Sequence, residues 1–335
     1  MRKLVAFAGG LVLASTAFLL WPRLHPRPEN QRPGKSPEQI VFVRSKDDVV
    51  SAGAIYTPPR DSTKPIALIW IHGWGVNFYY PTYVGIGRAL AERGYATITA
   101  NTRMHDIGNV EKYSWGKRVR GGGYWGVAGE EVRDLAAWVD FAEGRGFKKI
   151  VLIGHSAGWA AVRLYQAETQ DERVAGVVLA SGAVRPPTGA DDAQLVAQAT
   201  RLVSEGAGDD LLRLPNRSFP SYVSAATFLD TVKSPPEFKD FFGIQIAHPA
   251  VTRVRCPILA FFGTNGDVGT EADLKLLKSS VERQSTGPKR VDIIMIQNAE
   301  HMYTGQESQV AQTIAQWVET LLPKEAGKPS GSGTQ

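Results

Sequence analysis

The sequence predicts an α/β protein built on a mostly parallel, doubly wound sheet. Three observations carry this. Continuous apolar runs of strand length, such as "IALIWIHG", "KKIVLIG", "VAGVVLASG" and "PILAFFG", recur along the body. Segments of helical period separate them, among them "YVGIGRALAERG" and "EEVRDLAAWVDFAEGRG". Strands with no polar alternation are buried on both faces, which requires helices on both sides of a parallel sheet. Third, "KKIVLIGHSAGWAAVRLY" turns from strand to helix around Gly154-His155-Ser156-Ala157-Gly158.

Taken in order, the elements begin after a distinct N-terminal segment. Arg2 and Lys3 precede the uncharged, mostly apolar stretch 4–21, and Pro22, Pro26, Pro28 and Pro33 follow it. A basic head and an apolar run read as a cleaved export signal or an uncleaved membrane anchor. The anchor is favoured because Phe18 to Trp21 extend the run beyond the small residues Ser15-Thr16-Ala17. Basic residues lie on both sides of the segment, so the positive-inside rule orients it only weakly, and the body is expected outside the cytoplasm. The prolines make 22–38 a stiff linker. "QIVFVRS" and "VVSAGAIYTP" then read as an antiparallel pair, and strands alternate with helices to 183. The stretch 184–254 breaks this rhythm and is expected to be a mostly helical cap inserted before the acid-bearing strand. The sheet resumes over 255–323, and 324–335 is a Gly/Ser/Pro-rich tail.

The chain of 335 residues carries a net charge of +5. Many basic residues lie near the two ends, and the body has no basic run interleaved with aromatics, so nucleic acid is not an expected partner. The lone Cys256 precedes Pro257 with no histidine nearby and reads as a small core residue. There is no H-E-x-x-H and no G-x-x-x-x-G-K-[ST], so no metal or other cofactor is expected.

Gly-x-Ser-x-Gly between a strand and a helix is a nucleophile elbow. The flanking glycines let strand and helix approach, and the helix N-terminus favours developing negative charge beside Ser156. A serine needs a base. His25 lies in the linker, His72 in "HGWG", His105 in "NTRMHDIG", where it supports a loop, His155 inside the elbow and pointing away from the chemistry, and His248 in the cap. That leaves His301, in the loop after the last strand. The orienting carboxylate is expected after "ILAFFG", where Asp267 is preferred over Glu271 and Asp273, which suit the first turn of the next helix. The two oxyanion donors are the backbone N–H groups of Ala157 and Trp74, with Gly75 as the alternative to Trp74.

With these motifs in order, the sequence resembles the α/β-hydrolase superfamily over Pro65 to Leu322. "HGWG", "GHSAG", "GTNGDVG" and "NAEHMYTG" are similar to its oxyanion loop, elbow, acid loop and histidine loop. "GGGYWGVAGEEVRDLAAWVDF" and "EHMYTGQESQVAQTIAQWV" are similar to a branch with fungal siderophore esterases and uncharacterised bacterial hydrolases. The resemblance implies hydrolysis of a small-molecule ester. The acid follows Gly263 by four residues, where many relatives use three. Trp74, Phe78, Tyr79, Tyr80, Tyr124, Trp125, Trp159, Phe219, Tyr222 and Phe228 cluster at expected mouth and cap positions. They either line an apolar acyl pocket or pack the cap onto the sheet; Trp159 and Phe228 are the chosen substrate contacts. The same serine constellation also serves peptidases, amidases and acyltransferases, and a silent binding protein is the remaining alternative.

Overall fold

A computed structural model describes residues 38–59, 62–112, 118–186, 192–215 and 220–322. The expected signal or anchor (1–21), nearly all of the linker, Phe219 and the tail (324–335) lie outside these residues. Among the described residues, no helix is long and apolar enough to cross a membrane.

The main sheet has eight strands. β1 (Glu38–Arg44) and β2 (Val50–Tyr56) form the antiparallel pair read from the sequence. β3 (Ile66–Ile71) and β4 (Ala96–Ala100) flank helix α1 (Pro81–Glu92). Two short strands, β5 (Asn109–Lys112) and β6 (Arg118–Gly121), make a separate antiparallel hairpin before α2 (Glu131–Gly144). β7 (Lys149–His155), α3 (Gly158–Thr169) and β8 (Val174–Ala180) follow. After the excursion described below come β11 (Ile258–Gly263), α7 (Glu271–Glu282), β12 (Val291–Ile296) and α8 (Glu307–Glu319). The order is β1-β2-β4-β3-β7-β8-β11-β12, parallel from β4 to β12.

Alternation within β3 shows why its run is apolar throughout. Ala67, Ile69 and Ile71 join the core layer with Trp138 of α2, Val162 of α3 and Leu277 of α7. Ile66, Leu68 and Trp70 join the opposite layer with Ile86 of α1 and Ile314 of α8. With side chains pointing alternately to two covered faces, every residue of the strand must be apolar.

Between β8 and β11 the chain leaves the sheet. It forms α4 (Ala193–Ser204), a hairpin of β9 (Leu211–Arg213) and β10 (Tyr222–Ser224), α5 (Ala225–Lys233) and the single turn α6 (Pro236–Lys239). These helices and the β9–β10 hairpin lie within the stretch 184–254; the hairpin is a feature that three-residue strands are too short to announce by period. Ala199, Leu212, Ala225 and Leu229 form the cap's own small core. The cap rests on the segment before α2: Ser224 N–H donates to Tyr124 C=O at 2.8 Å, Thr227 Oγ1 to Gly126 C=O at 3.1 Å, and Trp125 Nε1 to Asp209 C=O at 2.8 Å.

Candidate active site

The carboxyl ends of five parallel strands converge on one region, the usual place for chemistry in an open α/β sheet. β3 delivers Gly73 and Trp74, β7 delivers Ser156, β8 Ser181, β11 Asp267 and β12 His301. Ser156 has φ 53°, a left-handed conformation that a non-glycine residue adopts only under constraint. The neighbours explain the glycines of the elbow. A Cβ at Gly154 would lie 2.3 Å from Gly158 C=O, and one at Gly158 would lie 2.5 Å from His72 C=O. Strand, helix and the loop after β3 are thus in backbone contact around the serine.

Ser156 Oγ lies 3.1 Å from His301 Nε2, and His301 Nδ1 lies 2.9 Å from Asp267 Oδ1. The series runs hydroxyl, imidazole, carboxylate. The alternative acids are engaged elsewhere. Asp273 closes a capping box with Thr270 at the start of α7 and pairs with Arg185 at 2.9 Å. Glu271 pairs with Lys275 at 2.7 Å. The Asp267 side chain is fully buried. Burial pushes its carboxyl up, but donors from His301, Ser181 and the N–H groups of Gly263 and Val268 outweigh that and hold it below its ordinary value.

Ser181 was not singled out from the sequence. Its hydroxyl bonds to Asp267 Oδ2 and to the Tyr303 hydroxyl. Because an ionised carboxylate only accepts, Ser181 donates to Asp267 and accepts from Tyr303. Both residues are buried, and both have positive φ, 51° for Ser181 and 61° for Tyr303. The signals in the sequence are slight: a serine at the end of "VVLAS" and a tyrosine two residues after His301.

The loop after β3, on the other side of Ser156, is equally constrained. His72 Nε2 accepts Thr102 N–H at 3.1 Å, so its Nδ1–H donates to Gly73 C=O at 2.8 Å. Burial pushes the His72 imidazole down to about 4 and keeps it neutral. Thr102 Oγ1 donates to buried Glu131 at 2.6 Å. Burial raises the Glu131 carboxyl to about 8. Beside it, Arg103 binds Asp134 at 2.9 Å and Asp47 at 2.9 Å, tying the loop after β4 to α2 and to the β1–β2 turn. Trp74 Nε1 donates to Gly123 C=O at 3.1 Å, and a Cβ at Gly123 would lie 2.5 Å from its ring. The loop that carries Trp74 therefore leans on the same 121–126 segment that carries the cap. Ala157 is exposed at the N-terminus of α3, and Gly73 is so close that a Cβ on it would be 3.0 Å from Ser156 Cβ.

Two expectations, for Trp159 and His155, are corrected. Trp159 does not present its ring to a pocket: it is 1% exposed, stacks on Phe262 and meets Phe242 edge-on in the core. The second residue of α3 points at the sheet, so its bulk is spent joining helix to strand. Phe228 is half-buried against the small core inside the cap. His155 does not point away from the chemistry; its ring lies 5.0 Å from that of His301. Elsewhere, His105 bonds Asp106 at 2.8 Å, and burial raises the Cys256 thiol to about 12, which suits a core residue.

The profile of the Alpha/beta hydrolase family matches residues 68–313. A search of curated proteins finds no match. Est1E from Butyrivibrio proteoclasticus, with ferulic acid bound, superposes with a TM-score of 0.57 at 17% identity, covering 84% of this chain and 99% of that one. A highly thermostable carboxyl esterase from Bacillus coagulans, in complex with glycerol, gives 0.60 at 15% identity, covering 86% of this chain and 99% of the esterase. An esterase of Pyrococcus furiosus gives 0.53 at 15% identity, with 88% and 99% covered. At these identities the likeness is one of fold. The family match spans strands β4 to β12 with the elbow, acid and histidine loops inside it, and the chain belongs to the Alpha/beta hydrolase family.

Proposed function

We propose that the protein is a serine hydrolase of carboxylic esters that works through an acyl-enzyme on Ser156. The observation that carries this reading is the series Ser156 Oγ to His301 Nε2 at 3.1 Å and His301 Nδ1 to Asp267 at 2.9 Å, set on a positive-φ elbow. Ser156 Oγ attacks the ester carbonyl while His301 Nε2 takes its proton. Asp267 holds the imidazole in the required tautomer and stabilises the imidazolium. The N–H groups of Ala157 and Trp74 receive the oxyanion, a role worth about a hundredfold or more per donor in other hydrolases. His301 then protonates the leaving alcohol. Water, deprotonated by His301, attacks the acyl-enzyme and releases the acid with Ser156 restored.

The cap is the proposed source of substrate choice. It joins the oxyanion loop through Trp74, Gly123 and Tyr124, so widening it changes the space beside Ser156. A fold neighbour holds ferulic acid, which makes aryl acyl esters a sensible arm of a panel beside alkyl chains of graded length.

Labelling with a fluorophosphonate, located by mass spectrometry, tests the nucleophile: the adduct is expected on Ser156 and is lost in Ser156→Ala. The ester panel tests the reaction, with amides and an acceptor alcohol as further arms. Turnover of amides alone, or acyl transfer without hydrolysis, would replace the esterase reading by its amidase, peptidase or acyltransferase counterpart. Absence of both label and turnover would favour a silent binding protein.

A further inference from the structure

Four separate segments meet behind the nucleophile through one chain of hydrogen bonds. Gly73 follows β3, Tyr83 lies in α1, His155 ends β7, and His301 follows β12. Gly73 N–H donates to Tyr83 Oη at 3.1 Å. Tyr83 Oη lies 2.7 Å from His155 Nδ1, and His155 Nε2 lies 2.8 Å from the His301 carbonyl oxygen. Tyr83 and His155 are both 0% exposed, so water does not compete for these bonds.

The protons in this chain are fixed by elimination. A carbonyl only accepts, so His155 carries hydrogen on Nε2. Burial, followed by the neighbouring His301, pushes the His155 imidazole down to about 3, so a second proton is absent and Nδ1 is bare. Tyr83 therefore donates its hydroxyl hydrogen to Nδ1 while accepting from Gly73. The chain has a single direction, Gly73 to Tyr83 to His155 to His301, and each member satisfies the next.

Its two ends lie on either side of Ser156. At one end is the N–H of Gly73, in the peptide that links His72 to Gly73, one peptide before the one that carries Trp74 N–H. The next peptide, Gly73 to Trp74, is planar, so the hold of His72 on Gly73 C=O sets the direction of Trp74 N–H, while Tyr83 fixes the preceding peptide from which it extends. At the other end is the backbone of the histidine that faces Ser156 Oγ. We infer that Tyr83 and His155 are positioning residues that lock the Gly73 backbone, from which the oxyanion peptide extends, and the His301 backbone to one another across the nucleophile. The inference rests on the serine hydrolase reading above and extends it to two groups that touch no substrate. A tyrosine hydroxyl with only a packing role would have no reason to be buried between an amide and an imidazole, since a phenyl ring fills the same contacts with Trp70 and Tyr80.

Three variants of the full chain test it: Tyr83→Phe, His155→Phe and His155→Gln. For each, kcat and KM on an aryl ester, the melting temperature and the imidazole nitrogen shifts of labelled histidines are measured. Both phenylalanine variants are expected to lower kcat about ten- to a hundredfold with KM held within about threefold, the pattern of a misplaced reacting group. His155→Gln keeps a side-chain donor and an acceptor and is expected to recover most of the loss. Unchanged kcat in both phenylalanine variants, or no recovery with glutamine, overturns the inference. If His155→Phe does not fold, Tyr83→Phe, which keeps its ring, decides by the same criterion. Wild-type protein without turnover on any ester would sink the hydrolase reading instead. The nitrogen shifts then judge the relay alone: an Nε2–H tautomer at His155 whose Nδ1 signal moves in Tyr83→Phe upholds it, and an Nδ1–H tautomer refutes it.

Discussion

Asp267 and Glu131 are two buried carboxyl groups at opposite flanks of the same serine, and they are held in opposite charge states. Asp267 accepts from His301, from Ser181 and from the N–H groups of Gly263 and Val268. Those donors overcome burial and keep it ionised. Glu131 accepts from Thr102 Oγ1 and sits near the Asp134 charge; burial dominates, and its carboxyl is raised to about 8. Depth in the fold does not by itself decide charge; the number and direction of donors do. The ionised group can stabilise an imidazolium. The neutral one can only brace the loop that carries His72 and Trp74.

The sharpest way to break this contrast is Asp267→Asn. The amide keeps the shape but presents no charge to His301 and can enforce the wrong tautomer. An about ten-thousandfold fall in kcat is expected, as for loss of the acid in other serine triads. Glu271→Gln and Asp273→Asn should stay within about threefold, since neither touches His301 and surface pairs contribute little. A larger loss from either than from Asp267→Asn would move the acid assignment.

Ser181→Ala probes the donors instead of the charge. It removes the hydroxyl that bonds Asp267 Oδ2 and leaves Tyr303 Oη without its acceptor. Loss of one hydrogen bond to a charged group predicts a fall of about tenfold in kcat at unchanged KM. Because the Asp267 carboxyl then loses a stabilising donor, activity should also begin to fail at a higher pH on the acid side. Wild-type kcat and acid limb in this variant would show that the backbone donors suffice.

These two variants also mark where the sequence could and could not be read. Ser156, His301 and Asp267 were legible because chain order and strand-end position constrain them strongly. Ser181 and Tyr303 were not, because a hydroxyl after a strand has no spacing rule and its partner lies far along the chain. The antiparallel opening pair and the strand–helix alternation followed from buried runs such as "IALIWI". The β5–β6 and β9–β10 hairpins were invisible because strands of three or four residues carry no period. Trp159 was misread because an aromatic residue near an elbow suggests a pocket, whereas its place in α3 turns it into the core. His155 was set aside because a residue inside the elbow reads as pointing away from the serine; only the structure brings its partners Tyr83 and His301 to either side of it.

On the other flank, Thr102→Val removes the donor to Glu131. The carboxyl then becomes still harder to ionise, and His72 keeps its backbone bond from Thr102 N–H. Since the Gly73 carbonyl stays held, kcat should fall by no more than about threefold. A loss as large as that of Ser181→Ala would mean that the two flanks matter alike.

Glu131→Gln gives the smallest effect on turnover and the clearest effect on stability. The amide still accepts from Thr102, and activity near neutral pH should stay within about twofold of wild type, because the carboxyl is already largely neutral there. Stability is different. The Glu131 carboxyl is raised from 4.5 in its ordinary setting to about 8 in the fold. Between those values the folded state holds a proton that the unfolded chain has lost, so unfolding releases charge and becomes easier as pH rises. Its contribution is fully present below about 4.5 and is gone above about 8. The wild-type melting temperature should therefore decline from pH 5 to pH 8 relative to that of Glu131→Gln, with a gap on the order of 5 °C opening across the window. Parallel melting curves for the two proteins over that range would show that Glu131 is ionised in the fold, and the contrast with Asp267 would then lie in their partners and not in their charge.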